Sequence, residues 1–143
     1  MYVASKNKQL EISRFARLMD LYESNYISLR LLVPGIDKLE GDLISSVSGC
    51  LNLHCRIVEK SKYTTTINLT YLFDNASREQ YEPDLYVRIY HDARQAEAMS
   101  GLIHGQRHIK RSSRSLESGW QLNRFLHKWL RYVLYRGHKV TER

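Results

Sequence analysis

The chain predicts an α+β domain in which an N-terminal and a C-terminal helix cover one face of a central antiparallel sheet of about four strands. Three observations carry this. Apolar residues recur every three or four positions near both ends, they alternate at every second position through the middle, and Pro34-Gly35 stands where the first period gives way to the second. At 143 residues the chain is long enough to bury a core without disulfide or metal staples. It reads as a single domain over residues 1–143.

Within residues 10–33, Ile12, Phe15, Leu18, Met19, Tyr22, Tyr26, Leu29 and Leu32 fall on one side of an α-helix. Pro34 ends it, because proline cannot continue a helix and biases the preceding residue away from helical geometry. Ser24-Asn25 suits an N-cap, so the stretch reads as one long helix or as two in succession. Residues 42–47 are a candidate short strand.

The next two strands are marked by β-branched and aromatic residues in alternation. Leu51, Leu53, Cys55 and Ile57 alternate with Asn52, His54 and Arg56, and Tyr63, Thr65, Ile67, Leu69 and Tyr71 alternate with Thr64, Thr66, Asn68 and Thr70. Matching the apolar faces in a hairpin sets Ile57 opposite Thr65, Cys55 opposite Ile67 and Leu53 opposite Leu69, with Glu59 and Tyr63 closing a three-residue loop. Glu59 then continues the apolar row. A carboxylate at the edge of a core requires a partner, for which Tyr63, Arg88 and Arg30 are the candidates.

Residues 74–83, with their turn and helix-breaking residues, read as a looser connection. Over residues 85–93 a strand directs Leu85, Val87, Ile89 and His91 to the core and Tyr86, Arg88, Tyr90 and Asp92 to the other face. Residues 96–109 follow neither period, since Gly101 and Gly105 interrupt it. Residues 104–114 are basic, nearly free of apolar side chains, and read as an exposed loop. The last helix is written by Leu122, Phe125, Leu126, Trp129, Leu130 and Val133, begins near Ser118 and stops at Gly137. Its opposite side carries Arg124, Lys128, Arg131 and Tyr135.

The formal net charge of +7 is unevenly spread. Residues 1–87 hold ten Lys or Arg against eleven Asp or Glu, and residues 88–143 hold twelve against four, so the surplus is entirely C-terminal. Such an asymmetry points to a polyanionic or acidic partner. Cys50 and Cys55 are five apart, which on a strand sends the thiols to opposite faces and prevents their pairing. No stretch approaches the ~20 apolar residues of a membrane span, and the first residues lack an apolar leader, so a cytoplasmic protein with no membrane contact is expected.

Diagnostic chemistry is absent from the motifs. His91 and Asp92 point to opposite faces of a strand, which makes His91 a hydrogen-bonded histidine capping the apolar row rather than half of a dyad. His104 and His108 have ligand spacing, but Gly105 interrupts any helix there and no carboxylate follows at a telling interval, so no metal is expected. With no glycine-rich phosphate loop and no nucleophile elbow, no cofactor and no catalytic residue is assigned. The residues that read as contact groups are Arg56, Glu59, Tyr63, Tyr86, Arg88, Tyr90, His91 and Asp92; the open face, with His54, Arg56, Thr66, Asn68, Thr70, Tyr86, Arg88 and Tyr90, combines cations and rings that suit phosphate binding and stacking. Arg107, Lys110, Arg111, Arg114, Arg124, Lys128 and Arg131 are the polyanion candidates. The expectation is a non-enzymatic binding module that engages RNA or an acidic protein through its open sheet face. Tyrosine and arginine also suit a homodimer interface. The alternative is a small enzyme or ligand sensor with a pocket around Glu59, Tyr63, Arg88, Tyr90 and His91.

Four blocks of sequence together resemble one family. They are Glu23-Ser24-Asn25-Tyr26 with Leu29-Arg30-Leu31 before Pro34; Ile57-Val58-Glu59 with Tyr63-Thr64-Thr65; Val87-Arg88-Ile89-Tyr90-His91-Asp92-Ala93 with Ala96-Glu97; and Asn123, Phe125-Leu126, Trp129-Leu130 and Tyr132 with Gly137. The set resembles the YqiB-like proteins, small uncharacterised proteins of gammaproteobacteria, over most of the chain. The resemblance implies a shared α+β domain and a cytoplasmic location, and it brings no catalytic residue. Residues 104–114 lie outside the four blocks.

Overall fold

The periodic stretch before Pro34 is one helix, α1 (Tyr2–Leu32), in the computed structural model. The structure describes residues 2–75, 78–103, 107–110 and 116–142, with backbone alone for 2–7, 72–75, 78–82, 102–103, 107–110 and 116. Leu18, Tyr22, Leu29 and Leu32 are buried as their spacing predicts, whereas Ile12 and Phe15 of the same stripe are 62% and 54% exposed. The reason is the extent of the second helix, α2 (Leu116–Tyr135). It runs beside α1 in the same direction, with Gly119 facing Leu18, Asn123 beside Asn25 and His127 beside Ser24. The early turns of α1 pass beyond its start, and residues 8–17 are exposed.

Between the helices lie β1 (Asp42–Ser45), β2 (Leu53–Lys60), β3 (Thr64–Asn75), β4 (Arg78–Tyr90), β5 (Gln95–Ile103) and β6 (Arg107–Lys110). They form one antiparallel sheet in chain order, so each strand pairs with its sequence neighbours. The sheet therefore has six strands where the pattern predicted about four. The two additional strands come from residues 96–109, whose alternation Gly101 conceals. A side chain at Gly101 would begin 2.5 Å from Leu85 Cδ2 and 3.1 Å from Leu122 Cδ1, so glycine is what lets α2 and β4 approach this strand. Four residues of the expected basic loop, 107–110, are strand β6, paired with Ser100–Ile103. Residues 104–106 and 111–114 lie outside the described residues.

Residues 74–83, expected as a loose connection, instead belong mostly to the paired arms of β3 and β4. Pro83 fits because the register shifts between Thr70 and Leu72, where a residue without an N–H removes no ladder bond. The β2/β3 hairpin also differs from expectation. Its register sets Leu53 opposite Tyr71, Cys55 opposite Leu69 and Ile57 opposite Ile67, two residues away from the predicted match. The slip preserves both faces because the side-chain period is two. A bulge at Val58 then brings Glu59 opposite Thr66, and Ser61 N–H closes the loop on the Thr64 carbonyl at 2.9 Å.

Both helices cover one face. Leu29 and Leu32 of α1, Leu122, Leu126, Leu130 and Val133 of α2, and Leu53, Ile67, Leu69, Leu85, Val87 and Ile89 of the sheet share one cluster. Two buried asparagines tie the layers together. Asn123 accepts the Ala98 N–H at 2.7 Å and donates to the Gly119 and Ala98 carbonyls at 2.9 and 3.4 Å, closing the edge of β5 beyond the reach of β6. Asn25 donates to the Asn123 carbonyl at 3.3 Å. No helix among the described residues is long and apolar enough to cross a membrane.

Gly137, at φ 93°, ends α2 in the left-handed geometry that glycine adopts without strain. The chain then turns back onto the body, and Val140 N–H bonds the Leu32 carbonyl at 2.7 Å. His138 is buried against the Tyr71 ring, its Nδ1 is 3.0 Å from Ser45 Oγ, and its Nε2 has no partner among the described residues. Burial, helped by the nearby Arg136 charge, holds this imidazole below the usual histidine range. Between that lowered value and about 6.5 the unfolded chain binds the proton and the folded chain does not. The stabilisation is therefore complete above about pH 6.5 and is lost as the pH falls. Melting temperatures measured from pH 7.5 to 5 are expected to fall more steeply for the parent protein than for His138→Phe; parallel curves would exclude His138 as the source.

Candidate binding face

The face of the sheet turned away from the helices is built by the second alternating set. Cross-strand register aligns His54 with Thr70, Arg56 with Asn68 and Tyr86, Thr66 with Arg88, and Thr64 with Tyr90. Three register shifts, near Val58, Tyr71 and Met99, curve this face rather than leaving it flat. At its middle lies a cleft of about 440 Å³ between β1 and β4, and Asn68, Thr70, His54, Arg56, Asp84 and Tyr86 are among its lining residues. The concavity explains why Asn68 and Thr70 are only 8% and 3% exposed on a face that no helix covers.

Polar side chains in the cleft are held by one another. Asn68 Nδ2 donates to Asp84 Oδ1 at 2.6 Å and to the Leu85 carbonyl at 3.1 Å. Thr70 donates to the Tyr71 carbonyl at 3.1 Å, and Arg56 reaches the Tyr86 hydroxyl at 3.4 Å. His54 Nε2 is buried with no partner among the described residues. Cys55 touches the cleft from the core side, and burial pushes its thiol up to about 12, so it stays protonated and is no nucleophile. Cys50, the other free thiol, accepts a bond from Arg136 Nε at 3.2 Å.

A second polar group forms where the strands end near the β4/β5 turn. Tyr22 of α1 and Tyr90 donate to the two carboxylate oxygens of Glu97, at 2.9 and 3.2 Å. Glu97 is 4% exposed and lies in register beside Arg88, whose Nε points to Thr66 Oγ1 at 3.4 Å. His91 is half-buried, bonds Thr65 Oγ1 through Nε2 at 2.8 Å, and makes no pair with the exposed Asp92. Its place as a hydrogen-bonded residue at the end of the apolar row follows the strand alternation.

The sequence-derived contact residues are thus only partly assembled. Arg56 and Tyr86 meet at the cleft, and Arg88 and Tyr90 lie further along the same face. Tyr90, however, has its hydroxyl committed to Glu97. Glu59, expected at the core edge, is exposed, because the Val58 bulge turns it to the other face and removes its need of a buried partner. Tyr63 is 52% exposed in the loop, with the Lys62 ammonium 5.2 Å from its ring centre. Of the five residues around which the alternative pocket was expected, Arg88, Tyr90 and His91 are half-buried and Glu59 and Tyr63 are exposed.

Arg124, Lys128 and Arg131 are exposed on the outward side of α2, away from the sheet, so they do not join the open face. The backbones of Arg107 and Lys110 lie in β6, and Arg111 and Arg114 are outside the described residues. Asp42, Asp84, Glu97 and Tyr22 are not among the contact residues that the sequence suggests. Asp84 continues the alternation of Tyr86, Arg88 and Tyr90 by one step, because β4 begins before residue 85. No group of three His, Cys, Asp or Glu side chains among the described residues is placed to hold a metal.

Fold and face together define a small α+β protein whose six-stranded meander is covered by helices on one side and carries a cleft lined by polar and apolar side chains on the other. The chain belongs to the family described as "Protein of unknown function (DUF1249)", which matches residues 28–139. It is 31% identical over 128 residues to "Uncharacterized protein YqiB" of Escherichia coli strain K12, an alignment covering 86% of this chain and 90% of that protein. The proteins of the same description from Escherichia coli O6:H1 and O157:H7 give the same figures. No solved structure matches the chain.

Proposed function

We propose that the protein is a cytoplasmic, non-enzymatic binding module whose open sheet face engages single-stranded RNA. The observation that carries this is the meeting of Arg56 and Tyr86 at the rim of a concave cleft of mixed polar and apolar lining, with Arg88 on the same face. A ring and cations on adjoining strands suit a stacked base and its flanking phosphates. Asp42 and Asp84 at the cleft oppose an acidic protein there, since carboxylates facing carboxylates in a partly dry groove repel, whereas bases bring N–H donors to them. The net charge of +7 supplies long-range attraction to phosphate.

Fluorescence anisotropy with a labelled ten-nucleotide RNA, read across a salt series, tests the reading. Tyr86→Ala is expected to weaken binding by about 1–3 kcal/mol while leaving the melting temperature nearly unchanged. Arg56→Ser and Arg88→Ser are each expected to reduce the log–log salt slope by about 0.7. Serine at Arg124, Lys128 and Arg131 together serves as the comparison, because these residues lie on the other side of the molecule. If that triple variant abolishes binding and the face variants do not, the open face is the wrong surface.

A further inference from the structure

We infer that the cleft on the open face selects a guanine base, with Asp84 as the group that reads it; this deepens, and rests on, the RNA-binding reading. Hydrogen-bond accounting at the cleft floor leads there. Both contacts of the Asn68 amide nitrogen are to pure acceptors, the Asp84 carboxylate and the Leu85 carbonyl, so the orientation of the amide is determined and both its hydrogens are committed. Its Oδ1 has no bond among the described residues. Asp84 uses one oxygen for Asn68 and keeps the other unpaired among the described residues. The Thr70 hydroxyl hydrogen is committed to the Tyr71 carbonyl. Asn68, Thr70 and Asp84 therefore offer acceptors beside the unpartnered His54 Nε2, and this part of the floor favours a ligand edge made of donors.

The four bases differ on this point. Guanine presents N1–H and the N2 amino group side by side, a pair of donors that a carboxylate accepts together. Adenine and cytosine set an amino group beside a bare ring nitrogen, whose lone pair would face the carboxylate. Uracil sets one N–H between two carbonyls, which would also face it. Discrimination then comes from repulsion of the wrong edge as much as from attraction of the right one. Arg56 at the rim supplies the counter-charge for an attached phosphate and disfavours a free cationic amine in the same space. The Tyr86 ring beside it is available to stack. The cleft, at about 440 Å³, has the size of a small-ligand site.

The test is isothermal titration of the full chain with GMP, AMP, CMP and UMP, alongside anisotropy with a U10 RNA and with the same RNA carrying one central guanine. GMP is expected to bind about tenfold or more tighter than the other three, the discrimination typical of a bidentate base contact. One guanine should improve the U10 RNA by a similar factor. Asp84→Asn keeps an oxygen for Asn68 but replaces the free acceptor by a donor, and it is expected to abolish the guanine preference without lowering the melting temperature. RNA binding with no base preference, or a preference that survives Asp84→Asn, overturns the guanine inference and leaves the RNA reading standing. GMP selectivity without binding of either RNA upholds the cleft and overturns the RNA reading. Tighter binding of spermidine or free arginine than of GMP overturns the inference in favour of a cation site, and no binding of any nucleotide or RNA overturns both.

Discussion

Trp129→Ala is expected to destabilise the protein by roughly 3–5 kcal/mol, the range for deleting a large aromatic side chain from a core. Trp129 is 7% exposed and sits on the α2 stripe between Leu126 and Leu130, both fully buried. Its ring meets Tyr71 of β3 edge to face, with centroids 5.5 Å apart at 78°, an arrangement that adds to the burial itself. Tyr71 in turn carries His138, so the loss of the indole also loosens the seat of the C-terminal return. Guanidinium unfolding monitored by circular dichroism checks the value, and Trp129→Phe should recover more than half of the loss by keeping a ring on Tyr71. An unfolding midpoint for Trp129→Ala within error of the parent would mean that α2 does not support the sheet.

Asn123→Leu is expected to cost about 2–4 kcal/mol, although leucine has a similar volume and is the more hydrophobic residue. The asparagine is fully buried and satisfies both the N–H and the C=O of Ala98, where β5 has no strand neighbour on that side, and it bonds Gly119 within its own helix. A leucine would leave the Ala98 groups dehydrated and unpaired, and each such group costs about 1–3 kcal/mol. Hydrogen exchange at the Ala98 amide gives the local readout: it should accelerate well beyond the global change in stability. Exchange at Ala98 that merely follows global unfolding would show that the edge is sealed by packing alone.

Several of these features were legible in the residues. The stripe Leu122, Leu126, Trp129, Leu130 and Val133 and its stop at Gly137 needed only helical spacing and a residue tolerant of positive φ. The division of β4 into Leu85, Val87 and Ile89 against Tyr86, Arg88 and Tyr90 needed only strand alternation. The place of His91 beyond the apolar row follows from the same rule. What escaped was set by more than one segment at once. Gly101 broke the pattern of β5 because Leu85 and Leu122 press upon it from two other elements. Glu59 lies on the face opposite to its expected one because one extra residue, Val58, bulges from the ladder, and a bulge leaves alternation intact on either side while reversing its sense across the gap. The candidate cleft was half visible. Arg56 and Tyr86 belong to the alternating sets, but Asp42 and Asp84 join them only because β1 to β4 stand side by side.

The sequence by itself determined both helical stripes, the central strands β2 to β4 and the inner faces of these elements, since they follow from short-range periods of 3.6 and 2 that those stretches display. It also determined the charge asymmetry and the absence of cofactor motifs from the chain. Only the tertiary structure decided the strand count, the hairpin register, the length over which α1 is covered, and which polar groups share the cleft. These depend on contacts between segments far apart in sequence, such as Tyr22 with Glu97 or Asn25 with Asn123, and on bulges that curve the sheet. A local pattern says which side of an element seeks burial; where that side comes to rest is settled by the partner it finds.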